Sequence, residues 1–226
     1  LYATESPLIS DEPYIQEKTL QGLSLQDITL RVLNKKGRVL TEHTMDLLFT
    51  HFGISGPAAL RCSSFVNKEL EKTGEPVTLS LDCFPTQTKQ ELIHLLTEKS
   101  KATKKNLVNA WHGLLPERLL VFFLERLEMD SLTGQQASQK QIQDFVQLCK
   151  EFKLSINKTF PIEKSFVTGG GVSLKEIHPK TLESKIIDGL YFAGELLDVN
   201  GYTGGFNITA AFATGHVAGR NAGQRA

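Results

Sequence analysis

An α+β fold is predicted by three features that succeed one another along the chain. The first third alternates apolar and polar residues at strand period. The middle carries helical spacing behind two capping boxes. The last third is glycine-rich, with a short apolar run, a Gly turn and a helix of small residues.

Composition agrees with a packed globular protein. The 226 residues are 40% hydrophobic and 22% charged, which excludes disorder, collagen-like repeats and a coiled-coil rod. The length suits one large domain or two small ones. Lys and Arg number 25, as do Asp and Glu, so net charge gives no general pull toward nucleic acid or an anionic membrane. No apolar run approaches the ~18 residues that a membrane-spanning helix needs. Cys62, Cys83 and Cys149 are far apart and form no C-x-x-C pair, which reads as three thiols in a reducing, cytoplasmic setting. Leu1-Tyr2-Ala3-Thr4-Glu5 is neither a signal peptide nor a start at Met, and raises the expectation of a piece of a longer protein.

Residues 1–19, with Pro7 and Pro13, read as irregular or edge structure. Leu23, Leu25, Ile28, Leu30 and Val32 mark a strand with a slip at Gln26-Asp27, the signature of a bulge. Asn34-Lys35-Lys36-Gly37 is a hairpin turn, and Arg38 to Met45 returns as a second strand. Pro57 suits the first position of a helix reaching about Lys72, and Val77 to Phe84 is a further strand. Thr88 with Glu91, and Ser138 with Gln141, are capping boxes that open helices. Between them, 106–115 and 117–127 read as two helices around Pro116, the second deeply buried. Four lysines within 99–105 read as a solvated helix end. Leu154 to Phe160 alternates again, Leu190 to Ala193 reads as a short strand, and a helix runs from near Gly205 to about Asn221.

The tail carries the informative chemistry. A strand, a Gly-rich turn and a helix bring backbone N–H groups and a positive dipole end to one place, where a pyrophosphate or the electron-rich edge of a flavin could be met. Ala210, Ala211, Ala213, Gly215, Ala218 and Gly219 allow that helix a close approach to a neighbour, and tight packing alone would also explain them. The triplet Gly169-Gly170-Gly171 lacks dinucleotide spacing, since Leu174 stands where G-x-G-x-x-G needs glycine; it is either a tight turn or a close approach to a ligand. Gly53-Ile54-Ser55-Gly56-Pro57 departs from a nucleophile elbow at Pro57, so Ser55 reads as a helix-start serine rather than a nucleophile. The six histidines have no metal-ligand spacing, and no metal is expected. His51, in its glycine-rich surroundings, is the least settled of them.

Thr168-Gly169-Gly170-Gly171-Val172, the stretch Glu176 to Lys185, Gly189-Leu190-Tyr191-Phe192-Ala193-Gly194-Glu195, Asp198 and Thr203-Gly204-Gly205-Phe206-Asn207 together resemble the C-terminal signature of the YhiN/BaiN-type bacterial flavoproteins, NAD(P)/FAD-dependent oxidoreductases. Leu48 to Pro57 is similar to a second motif of that family, and the Gly22-Leu23-Ser24-Leu25 hairpin region also fits. The resemblance implies a Rossmann-like FAD-binding domain split in sequence around a β-barrel insert with a helical subdomain. Here the insert would be 9–160, its helical part about 86–152, the C-terminal FAD-binding segment 161–226, and 1–8 the end of the preceding connection. The N-terminal dinucleotide-binding half would be missing, leaving a fragment inactive by itself, with an exposed face on its last segment.

The resemblance also implies roles. Gly194, Glu195 and Asp198 would meet the ribityl and pyrophosphate region of FAD. Gly204, Gly205, Phe206 and Asn207 would set a helix N-terminus by the flavin's pyrimidine edge, and Gly169, Gly170 and Gly171 would let backbone approach the flavin and substrate side. His51 and Tyr202 are candidate proton donors. The implied activity is hydride transfer from NAD(P)H through FAD to an unsaturated or carbonyl-bearing small molecule, with neither membrane nor nucleic acid as partner. An alternative is a nucleic-acid or protein binding module built on the barrel, which resembles those of translation proteins; zero net charge and the single Trp111 speak mildly against nucleic acid.

Overall fold

The structure, a computed structural model, describes residues 1–202 and 205–225. The chain begins with β1 (Tyr2–Thr4), β2 (Leu8–Ile9) and a one-turn helix α1 (Pro13–Gln16). There follow β3 (Ser24–Leu33), β4 (Val39–Phe49), β5 (Gly53–Ser55), helix α2 (Pro57–Thr73) and β6 (Val77–Asp82). Four helices come next, α3 (Lys89–Lys101), α4 (Leu107–Ala110), α5 (Glu117–Arg126) and α6 (Gln139–Lys150). The chain then forms β7 (Phe152–Ile156), β8 (Lys158–Thr159) and β9 (Val167–Gly169), and ends in α7 (Phe206–Arg225).

Among the described residues, seven strands join in the order β7-β6-β3-β4-β5-β2-β8, each pair antiparallel. The two outer strands are consecutive in the chain, separated by Asn157 alone. β7 pairs with β6, as in Val77 opposite Ile156, while β8 pairs with β2, as in Leu8 opposite Thr159. Between them the Asn157 N–H donates to the Ile9 carbonyl at 2.9 Å. One run of chain therefore occupies both edges, and the sheet closes into a barrel with few free edge groups.

Local sequence accounts for the barrel's details. The register of β3 on β4 shifts between Leu25 and Ile28, where the alternation slips, and Asp27 takes a φ of 49° there. β4 continues past Met45 to Phe49 because Leu47 and Phe49 keep the inward alternation and are buried. Helix α2 starts on Pro57 and presents Ala58, Ala59, Cys62 and Val66 to the core.

The helical part shares the barrel's core. Trp111, Phe123, Phe145 and Phe152 are fully buried in one cluster that runs from Leu8 to Ile156. The Phe123 and Phe152 ring centroids lie 5.1 Å apart, and those of Trp111 and Phe145 lie 4.7 Å apart. The Trp111 indole N–H donates to Ser100 Oγ at 3.0 Å, so no donor is stranded there. Both capping boxes form, Thr88 with Glu91 and Ser138 with Gln141. Lys150 Nζ lies 2.8 Å from the buried carboxylate of Asp82 and also donates to the carbonyls of Phe84 and Gln87, tying α6 to the end of β6. The expected helix over 106–115 is shorter: α4 ends at Ala110. Gly113 has a φ of 80°, and Pro116 disfavours helical backbone at Leu115.

The last region packs differently. β1 and β9 form a separate two-stranded ribbon, with Tyr2 opposite Gly169. The strand expected at Leu190 to Ala193 does not form; Tyr191 makes one isolated bridge to Glu183. Residues 182–184 run beside it, the Ser184 N–H donating to the Leu190 carbonyl at 2.8 Å and the Phe192 N–H to the Leu182 carbonyl at 3.0 Å, but the pairing stops at this one bridge, too short for a strand. Among the described residues no helix is long and apolar enough to cross a membrane.

Candidate functional site

The glycine triplet and the Gly194 turn, about two dozen residues apart in sequence, meet backbone to backbone. Val172 forms a parallel bridge to Leu197. Its N–H donates to the Leu196 carbonyl at 2.8 Å, and the Asp198 N–H donates to the Val172 carbonyl at 3.1 Å. Gly171 makes this approach possible. A Cβ there would lie 2.7 Å from the Leu196 carbonyl oxygen, and its φ of 148° is one that side chains rarely adopt. The closeness expected of the triplet is thus met by the protein's own backbone.

Gly194 then turns the chain onto α7. Its φ is 62°, and its Cβ position lies 3.5 Å from the Ala211 Cβ. The Gly194 N–H donates to Thr214 Oγ1 at 2.9 Å, which itself donates to the Ala210 carbonyl. The small residues of α7 therefore serve this contact. Glu195 and Asp198 leave the turn exposed to solvent. Beside it opens a cleft of about 630 Å³ lined by Thr168, Gly171, Val172, Ala193, Glu195 and Leu196.

The start of α7 is held by one side chain. Asn207 Oδ1 accepts from the Gly201 N–H at 2.7 Å, and its Nδ2 donates to the Gly201 carbonyl at 2.8 Å. The Asn207 amide thereby ties Gly201 to the start of α7. The first turn of α7 contains no acidic residue, so its positive end is not neutralised from within. Gly205 precedes the helix with open space around it, and Phe206 is exposed. Gly204 lies outside the described residues.

The two candidate proton donors have different surroundings. His51 is exposed and stacks edge-on against Phe52 at 5.0 Å. Tyr202 instead reaches the barrel. Its ring lies 5.2 Å from His43 of β4 and 4.9 Å from the guanidinium carbon of Arg61 on α2. Burial, and then the Arg61 charge, push the His43 pKa below the ordinary histidine value, so its imidazole is neutral at pH 7. Among the described residues the Arg61 Nε has no hydrogen-bond partner although solvent does not reach it. Sequence reasoning passed over both residues. His43 shares the alternating set of Thr41, Met45, Leu47 and Phe49, which would have marked it as covered. Arg61 stands one turn beyond the Gly56-Pro57 helix start, amid otherwise small and apolar residues.

Ser55 closes β5, paired with Leu48 in an antiparallel ladder. That is not the parallel strand-to-helix elbow of a serine hydrolase. Burial pushes the Cys62 and Cys83 thiols up to about 12 and that of Cys149 well above its usual value, which makes all three poor nucleophiles.

The family model described as the HI0933-like protein barrel and H2TH domain matches residues 2–167. The chain belongs to the HI0933-like family. The HI0933-like Rossmann domain model matches residues 131–221 and so takes in the glycine triplet, the Gly194 turn and most of α7. A Clostridium scindens relative named 3-dehydro-bile acid delta(4,6)-reductase is 33% identical over 190 residues, 83% of this chain and 46% of that protein. Two relatives are named ribosomal RNA dihydrouridine synthase. The Haemophilus influenzae one is 32% identical over 171 residues, 75% of this chain and 40% of its own length. The Escherichia coli one is 29% identical over 210 residues, 92% and 48%. The chain thus spans about half the length of these HI0933-like relatives.

Proposed function

We propose that this chain is the barrel, helical and C-terminal part of a flavin-dependent oxidoreductase that moves hydride from NAD(P)H through FAD to an electron-poor double bond. The observation that carries the reading is the junction of the Gly194 turn, the Gly171 contact and the start of α7 beside an open cleft, within a chain whose relatives include a reductase. The activities named for these relatives share one chemistry. A 4,6-unsaturated 3-oxo steroid and a uracil ring both present a carbon–carbon double bond conjugated with a carbonyl.

The residues present fit FAD. Exposed Leu196 and Phe206 would offer apolar contact to the ring system, and Glu195 and Asp198 would accept from ribityl hydroxyls. The uncompensated N-terminus of α7 would favour negative charge on the flavin's pyrimidine edge. Bound there, FAD would supply two-electron hydride chemistry. The backbone of 169–171 would act indirectly, holding the 194–198 turn in place. The protein is read as acting on a small molecule in the cytoplasm, with residues 161–226 as the C-terminal segment of the split FAD-binding domain.

The ribosomal RNA named for two relatives supports a second substrate reading, uridine within RNA. The exposed lysines at 101, 104 and 105 beside the end of α3 are suited to phosphates. An absorption spectrum of the intact protein tests the main reading: bound flavin bands are expected, and a colourless protein that added FAD cannot colour would refute it. RNA binding that weakens steeply with salt would favour the second substrate.

A further inference from the structure

We infer that Arg61, stacked on Tyr202, binds the carbonyl oxygen of the substrate's conjugated system. The inference rests on the reductase reading and adds the residue that meets the substrate's electron-accepting end.

Three observations support it. Arg61 stands on α2, anchored in the core by Ala58, Ala59, Cys62 and Val66, so a rigid element positions it. Its guanidinium carbon lies 4.9 Å from the ring of Tyr202, whose neighbour Gly201 is held by Asn207 of α7. Among the described residues no carboxylate forms an ion pair with Arg61, and its buried Nε lacks an acceptor. Arginine keeps its charge, and a part-buried guanidinium with an unfilled N–H favours any oxygen that carries, or will carry, negative charge. His43, on the same Tyr202 ring at 5.2 Å, adds no second positive charge while neutral. The cluster thus presents one fixed cation at the meeting of the barrel with the C-terminal loop.

The chemistry balances around that cation. With FAD bound and reduced by NAD(P)H, its hydride, two electrons and a hydrogen, would be delivered to the β-carbon, which would leave the flavin oxidised. The π pair of the double bond shifts toward the α-carbon and the carbonyl oxygen becomes an enolate, held by Arg61 N–H groups. The α-carbon takes a proton from solvent or a side chain, the carbonyl re-forms, and the product carries one added H⁻ and one H⁺. Donors aimed at the developing oxyanion act on this step and not on flavin reduction.

The test uses the intact flavin-loaded protein, reduced anaerobically with NADPH and then mixed with an oxidant. One arm uses a 3-oxo-4,6-diene bile acid, the other a uridine-containing ribosomal RNA fragment; the arm that reoxidises the flavin identifies the source of the conjugated carbonyl. In Arg61→Gln, reoxidation by the active substrate should fall by about 100-fold or more, while reduction by NADPH and reoxidation by ferricyanide stay within about threefold. Arg61→Lys, which keeps the charge, should recover part of the loss. Unchanged reoxidation by substrate in Arg61→Gln overturns the inference, as does an equal slowing of the ferricyanide reaction, which would mark a structural role. A wild-type protein that takes up no flavin, or whose flavin reacts with neither substrate, removes the reductase reading before any variant is made, and this inference with it.

Discussion

In the barrel and its helices Phe49, Phe123, Phe145 and Phe152 are each no more than 1% exposed, whereas in the C-terminal region Phe166, Phe206 and Phe212 are each at least 63% exposed. The residue type is the same; what differs is the presence of an opposing layer. Between Leu8 and Ile156 each amphipathic element faces another, and the apolar side chains join one cluster. Beyond it the buried apolar residues are scattered, as Val167, Ile177, Leu197 and Ala218, while Ile186, Ile187, Leu196, Val199, Ile208 and Phe212 face solvent. Backbone contacts at Gly171 and Gly194 give the region local order, but they cannot replace burial as a source of stability. An apolar surface of this kind beside a cleft belongs to a binding or docking face.

The largest effect that would sharpen this contrast is Phe123→Ala. Loss of a fully buried ring shared by α5 and the barrel wall should cost about 3–5 kcal/mol, read from the midpoint of urea unfolding. Phe212→Ala should change the stability of this chain by less than about 0.5 kcal/mol. If the same change cost several kcal/mol here, the contrast would collapse.

Lys150→Ala leaves the buried Asp82 carboxylate without its nearest cation and should cost about 3 kcal/mol by the same measurement. Gly171→Ala acts in the other region. Its Cβ would meet backbone that cannot withdraw, so hydrogen exchange should rise at Val172 and Asp198, while amides of the barrel stay protected.

The smallest effect concerns pH. The folded His43 pKa lies below that of the unfolded chain, so its contribution is complete above the unfolded value of about 6.5 and is lost as pH falls through the folded one. Urea midpoints measured from pH 7.5 down to pH 5 should therefore fall somewhat more for the wild type than for His43→Gln.

How much of the molecule could be read from its residues follows the same division. The bulge at Gln26-Asp27, the turn at Asn34 to Gly37, the Pro57 helix start and both capping boxes are local devices, and all are found in place. Barrel closure was legible only through resemblance, because pairing Leu8 with Thr159 is a long-range event that no local pattern encodes. The apolar run at Leu190 to Ala193 has strand chemistry, but its neighbour, residues 182–184, pairs with it through a single bridge, and how far pairing extends is not written in the run itself. At the candidate site the glycines were visible by composition. Their partners were not, since Tyr202 meets His43 and Arg61 across more than a hundred residues.

The strand that occupies both edges of the barrel also sets an order of events. α3 to α6 lie in sequence between β6 and β7, so during synthesis the helices emerge before the segment that completes the wall. Helical contacts are local and form quickly, while the pairing of Leu8 with Thr159 must close a loop of about 150 residues. Until Lys158 and Thr159 have left the ribosome, β2 and β6 are unsealed edges, and the nascent chain is then at its most prone to misassociate.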